Sequence, residues 1–225
     1  MGFIYEERGS DSPFIETVTR GRTAGSGSVI RPAEFHWHMV LVKSDAGTQL
    51  LVAGPLTSSG VVYFKEGMQL LWIKLKLGTY MPHLPARSMV NVETALPQAA
   101  GQSFWLKGSA WQFPDYDNTE TFIQRLVRED VLARDPLIHD ALQGRAQGLS
   151  PRTVRHHFSQ VTGLTQASIL QMQRAQRAAD LLRQGTPILD TVFEAGYFDQ
   201  PHLTRSLKQW IGHTPAQLLQ MRSGA

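Results

Sequence analysis

Between residues 146 and 172 the chain matches itself at an offset of 49 residues, and this repeat constrains what the C-terminal third can fold into. Ala146, Gln160, Gly163, Thr165, Ala167, Leu170, Gln171 and Met172 recur as Ala195, Gln209, Gly212, Thr214, Ala216, Leu219, Gln220 and Met221. Unrelated sequence would give roughly one or two identities over such a stretch, so a duplicated supersecondary unit is the better reading. Ser150 and Asp199, both good N-caps, occupy equivalent places. Behind each comes an apolar i, i+4, i+7 stripe: Val154, Phe158, Val161, then Leu203, Leu207, Trp210. Gly163 and Gly212 follow as C-terminal caps.

Ahead of the second copy, Ile188, Leu189, Val192 and Phe193 form an apolar helical segment that ends at Gly196-Tyr197. Helix, short glycine turn and capped helix describe a helix-turn-helix. Leu203, Leu207, Trp210, Val154 and Phe158 are assigned to the core, which turns the remaining side chains outward. The outward face of the second copy offers Gln200, His202, Thr204, Arg205 and Lys208; the first offers Arg152, Arg155, His156 and Ser159. These hydrogen-bonding and cationic types suit base edges and phosphates. On an isolated helix a solvated surface would explain them better, and the repeat reverses that preference. Thr165 to Gln184, between the copies, would make a helix about 30 Å long, close to the ~34 Å between successive major-groove faces of B-DNA.

Charge points the same way. Residues 1–144 hold 13 Lys+Arg and 15 Asp+Glu, whereas residues 145–225 hold 9 and 4, so the net +3 of the chain comes from its basic C-terminal part. Such a part is suited to a polyanion.

These residues resemble the AraC-type family of bacterial transcription regulators. The string from Ala195 through Gly196, Tyr197, Phe198, Asp199, Gln200, Pro201, His202, Leu203, Thr204, Arg205, Ser206, Leu207 and Lys208 to Gly212 and Thr214-Pro215 follows that family's signature, within a match over about Leu149 to Leu218. The resemblance implies two helix-turn-helix units joined by a long helix, with Arg152, Arg155, His156, Gln200, His202 and Arg205 at bases or backbone. It implies double-stranded DNA as the partner, with RNA polymerase, a small-molecule effector and a homodimer as further expectations, and neither a cofactor nor a membrane. Two departures stand out: Val192 where the family usually has alanine, and a stretch before Ser150, with Gly144 and Gly148, that does not repeat with Thr186 to Ala195. Docking of the first unit is therefore left open.

From about Val29 to Leu106 the chain reads as short strands: Met39–Val42, Gln49–Ala53, Val61–Phe64, Leu71–Leu77 and Phe104–Leu106. Ile73, Leu75 and Leu77 alternate with Trp72, Lys74 and Lys76, the period of a strand with one buried face. Gly54-Pro55, Ser58-Ser59-Gly60 and Gly78 punctuate them. After Pro114 apolar residues recur at three and four, starting with Phe122, Leu126, Val127 and Val131, and everything onward reads as helical. Thr119 or Asn118 would cap the first helix, and Asp135-Pro136 would end it and open the next. The expected fold is α+β in two domains: an N-terminal β-rich, cupin-like barrel or sandwich and a C-terminal all-α double helix-turn-helix. The expected boundaries are 1–113 for a sensor or regulatory domain, 114–144 for a helical linker and the start of the first helix-turn-helix, and 145–225 for the DNA-binding domain.

The remaining chemistry is sparse. The absence of cysteine excludes disulfides, cysteine-ligated metal and thiol nucleophiles. The first twenty residues are too charged for a signal peptide, and the uncharged stretch from Ala46 to Phe64 is too broken by glycine and proline for a membrane helix, so a soluble, cytoplasmic protein is expected. His36-Trp37-His38 has the spacing of metal-binding cupins but lacks the glutamate expected a few residues on, so strand histidines near a rim are preferred. Trp37, Trp72, Trp105, Trp111, Phe104 and Phe113 suit core packing better than a pocket. His36, His38, Trp72 and Trp105 are nonetheless the candidate effector contacts. No Ser/His/Asp arrangement or phosphate-cradling loop stands out, and Gly25-Ser26-Gly27 leads into a strand and lacks the lysine. Catalysis has no support; the alternative is a metal-dependent cupin-type enzyme with a helical assembly domain.

Overall fold

A computed structural model describes residues 2–146 and 148–222. In chain order it holds β1 (Phe3–Gly9), β2 (Ile15–Thr23), β3 (Gly27–Arg31), β4 (His38–Ser44), β5 (Gly47–Ala53), β6 (Gly60–Phe64), β7 (Gln69–Leu75) and β8 (Thr79–Tyr80). A single 3-10 turn, Ala86–Met89, precedes β9 (Glu93–Ala95), β10 (Ser103–Leu106) and β11 (Ser109–Gln112). Then come α1 (Thr119–Arg128), β12 (Ala133–Arg134), α2 (Pro136–Leu142), α3 (Pro151–Val161), α4 (Gln166–Gln184), α5 (Ile188–Glu194), α6 (Gln200–Trp210) and α7 (Pro215–Arg222). The chain divides into two compact units: Met1–Gly27, His36–Pro55 and Tyr63–Thr165 form one, and Ser28–Phe35, Leu56–Val62 and Gln166–Ala225 the other.

The first unit is built on an antiparallel sheet in the order β1-β2-β7-β4-β5-β9, with β1 and β9 as its edges. Alternation sorts its side chains. Met39 pairs with Ile73 and Val52, and Leu41 with Leu71 and Leu50, so these six point to one face and are buried. The β10–β11 ribbon and α1 join the same core: Phe104 stacks on Phe113 at 5.4 Å and meets Phe122 edge-on at 6.3 Å, while the Trp111 indole donates to the Leu106 carbonyl at 3.1 Å. Trp37, Phe104 and Trp111 are thus core residues, as packing alone would have them.

The β-rich N-terminal part and helical C-terminal part follow the expectation, with differences in detail. β1 and β2 lie ahead of the expected β-region. β1 is an edge strand exposed along nearly its whole length, so it carries no hydrophobic alternation, and the irregularity between Ile15 and Thr17 breaks the period of β2. Helix α1 ends at Arg128, not at Asp135-Pro136. Asp130 turns the chain with a φ of 53°, Val131 and Leu132 drop into the core, and Ala133–Arg134 pairs with β8, so the region after Pro114 is not wholly helical. Asn118 occupies the cap position of α1, but its Oδ1 accepts from the Asp115 N–H at 3.0 Å and caps nothing.

A charged lock ties β1 to α1. Arg8 donates to Glu120 with both terminal nitrogens, one at 2.9 Å, Ser10 adds a third hydrogen bond at 2.9 Å, and Arg8 and Arg20 lie over the Tyr116 ring at 4.9 and 4.3 Å. The Arg8 hydrogen bonds outweigh desolvation and lower the Glu120 carboxyl from 4.5 to about 2. A lowered carboxylate contributes stability above its unfolded pKa, and that contribution fades as pH falls from there toward 2. Both side chains are about a third exposed, so solvent discounts the pair to about 1 kcal/mol. Glu120→Gln should therefore lower stability by that amount at pH 7 and by clearly less near pH 2, where the carboxylate begins to protonate in the folded chain. Equal deficits at both pH values in urea titrations would remove the lock from the account.

In the second unit α4 packs against α5, α6 and α7. Its buried stripe is Ile169, Met172, Ala175, Ala178, Ala179 and Leu182, whose alanines permit close helix approach. Ser28–Arg31 of β3 and Gly60–Val62 of β6 belong to this unit.

Candidate nucleic-acid interface

The repeat is realised in the backbone. Helices α3 and α6 are both 11 residues long and stand 49 positions apart, as do their caps and the first residues of α4 and α7. Ser150 Oγ accepts from the Thr153 N–H at 3.1 Å, and Asp199 Oδ1 from the His202 N–H at 2.7 Å. Helix α3 begins with Pro151 and α6 has Pro201 as its second residue, and in both the missing N–H is one that has no intrahelical partner there. The preceding helices break the repeat. Residues 143–150 join α2 to α3, whereas 195–199 join α5 to α6, so the first connection is three residues longer and α2 is displaced against α5 by that amount. This is the origin of the poor match before Ser150.

On α6 the core side is Leu203, Leu207 and Trp210, all buried, and the other side leaves Gln200, His202, Arg205 and Lys208 exposed with Thr204 half-buried. Tyr197 stiffens this end: its ring meets His202 edge-on at 5.1 Å, its hydroxyl shares a 2.8 Å hydrogen bond with Ser206 Oγ, and Arg174 lies 5.9 Å from its centroid. Burial pushes the Tyr197 phenol up, which keeps it neutral.

On α3, Arg152, Arg155 and His156 are exposed. Ser159 is half-buried and accepts from Arg87 Nε at 2.5 Å, so the 3-10 turn engages one of the side chains expected to face DNA. His157 Nδ1 lies 2.6 Å from Asp135 Oδ2, while Asp135 Oδ1 caps α2, which fastens the two helices of this unit through one carboxylate. Phe158 is fully buried, but Val154, assigned to the core from its spacing, is only half-buried because it lies in the first turn, beyond most of the packing.

Neither helix is bounded only by its own repeat. In the second unit, Ala33 N–H donates to the Trp210 carbonyl at 2.7 Å, Ser59 N–H to Gln209 at 2.8 Å, and Ser59 Oγ to Lys208 at 3.1 Å. The ribbon segments thus satisfy the last carbonyls of α6, which have no intrahelical donors. An open pocket of about 480 Å³ lies beside Ile30, Ser59 and Lys208. In the first unit, Ala86 and Val90 press on Gly163 just past the end of α3. Neither contact was legible in sequence, because a ribbon of Ser28–Phe35 and Leu56–Val62 carries no marker of a partner some 150 residues away.

The candidate effector residues do not assemble as a group. His38 and Trp72 share the sheet face opposite the core, and the Trp72 indole donates to His38 Nδ1 at 2.6 Å. His36 is buried just ahead of β4, and Trp105 is 47 % exposed on the separate β10–β11 ribbon. Among the described residues no three His, Cys, Asp or Glu side chains form a metal-ligand set, and no helix is long and apolar enough to cross a membrane.

No curated protein matches the chain in sequence. Two crystal structures of ToxT from Vibrio cholerae, one in a P21 form and one from O395, are similar at 10 % and 9 % identity with TM-scores of 0.43 and 0.44. They cover all of this chain and 100 % and 99 % of theirs. A family model described as a helix-turn-helix domain matches residues 144–221, the stretch that holds α3 to α7. Residues 144–221 of this chain are therefore a helix-turn-helix domain.

Proposed function

We propose that the chain is a sequence-specific DNA-binding regulator of transcription. In this reading residues 145–225 engage duplex DNA and residues 1–113 control that engagement through a small-molecule effector or a partner protein, in the cytoplasm and without catalysis. One observation carries it: two equal, side-chain-capped helices, repeated 49 positions apart inside a helix-turn-helix domain, each leave a cationic and hydrogen-bonding face exposed. N-terminal helix residues read bases, while arginine and lysine neutralise phosphates. Gln200, His202, Thr204 and Arg205 read one half-site, and Arg152, Arg155 and His156 its neighbour, with Ser159 and Lys208 at the margins. Control by the N-terminal part is supported by where it meets the helices, at the end of α3 through the 3-10 turn and at the end of α6 through the β3–β6 ribbon. An effector that shifts either contact would change the population of DNA-competent helices by its differential affinity for the two arrangements.

The test uses the full chain. Selection from a pool of randomised duplexes should enrich a common sequence, and binding to it should fall steeply with salt, as counterion release requires. Failure to enrich any sequence, together with no binding to any duplex at low salt, would overturn the reading.

A further inference from the structure

The most exposed large hydrophobic residue of the described chain is Phe198, at 91 %, and it stands immediately before the cap of α6. Burial cannot explain a phenylalanine there, since it contributes almost nothing to the core. The neighbouring residues are already committed. Tyr197 is buried against Ser206 and His202, and the Asp199 carboxylate is held by the His202 N–H. Phe198 alone in this turn is left pointing out, beside exposed Gln200 and His202, at the end of the helix whose first residues approach base edges. The surrounding face is hydrogen-bonding and cationic, through Gln200, His202, Arg205 and Lys208, so the surface that Phe198 enters is polyanionic and not apolar. The apolar feature of a major groove is the thymine 5-methyl group, the group that a phenylalanine contacts.

We propose that Phe198 is a specificity-determining residue that packs on a thymine methyl at the edge of the site read by α6. This rests on the DNA-binding reading above and adds to it one base preference made without hydrogen bonds. Phe193, 80 % exposed on α5, is separated from Phe198 by the turn and is not required for the contact.

The test takes the sequence selected by the full chain and replaces each thymine in turn by uracil, which removes only the methyl. One methyl is worth about three- to fivefold in affinity. One position should show that loss for the wild-type chain and none for Phe198→Ala, while Phe198→Leu, which keeps an apolar side chain, should retain most of it. Arg205→Ala should leave the uracil effect intact. Equal uracil sensitivity in wild type and Phe198→Ala, or none at any position, would overturn the assignment while leaving sequence-specific binding in place. No selected sequence at all would overturn the DNA-binding reading and this assignment together.

Discussion

Arg205→Ala in the full chain is expected to lower affinity for its selected duplex by about 10- to 100-fold and to lower affinity for a scrambled duplex far less. The side chain stands one turn along α6 from Pro201, on the exposed face. A guanidinium there can present its rigid donor fork to a guanine edge, a contact worth about 1–3 kcal/mol of discrimination. Its removal should not disturb folding, because the helix is held by Leu203, Leu207 and Trp210 from the other side and by the Asp199 cap. The contrast is with Lys208, whose backbone carbonyl receives Ser59 and whose position in the last turn suits a phosphate. Lys208→Ala should weaken both duplexes alike and reduce the slope of log affinity against log salt by about one. Anisotropy titrations of both variants at matched salt separate the roles. A uniform loss for Arg205→Ala would make it a phosphate contact.

How far these positions could be read from sequence depends on how local their causes are. The helices of the second unit were legible because cap, stripe and terminal glycine all act within one or two turns, and a duplicated copy multiplies the signal. The first unit was legible only from Ser150 onward. Its extra three residues and its Asp135–His157 link give α2 a different placement that the repeat cannot encode. In the N-terminal part, β4, β5 and β7 were visible because one face of each is buried. β1 hid because as an edge strand it is exposed, and β2 because an irregularity resets its alternation. Phe198 was present in the matched string, yet its apolar character suggests a core residue until exposure is known.

The junctions at Gly163, Gly196 and Gly212 allow the grip on α3 and α6 to be measured. All three lie at positive φ, 71°, 71° and 85°, where a side chain costs about 1–2 kcal/mol from backbone sterics alone. Their surroundings differ. A Cβ at Gly196 would meet nothing within 4 Å, so Gly196→Ala should show the conformational cost by itself. At Gly212 it would lie 2.4 Å from Ile30 Cγ2 and 3.1 Å from Ser59, both side-chain atoms that can shift. At Gly163 it would lie 2.5 Å from the Ala86 carbonyl oxygen, which is backbone and cannot yield without moving the 3-10 turn. Overpacking of that kind adds about 1–3 kcal/mol. The expected order of destabilisation in thermal melts is therefore Gly163→Ala, then Gly212→Ala, then Gly196→Ala, spanning about 4 to 1 kcal/mol. Adding Ile30→Ala should recover the steric part of Gly212→Ala and leave the conformational part. Equal losses at all three glycines would mean that the N-terminal segments do not press on the helix ends. If the order holds, the same variants test control: Gly212→Ala displaces the ribbon from the last carbonyls of α6, so its DNA affinity should change by more than that of Gly196→Ala, whose added Cβ would meet nothing within 4 Å.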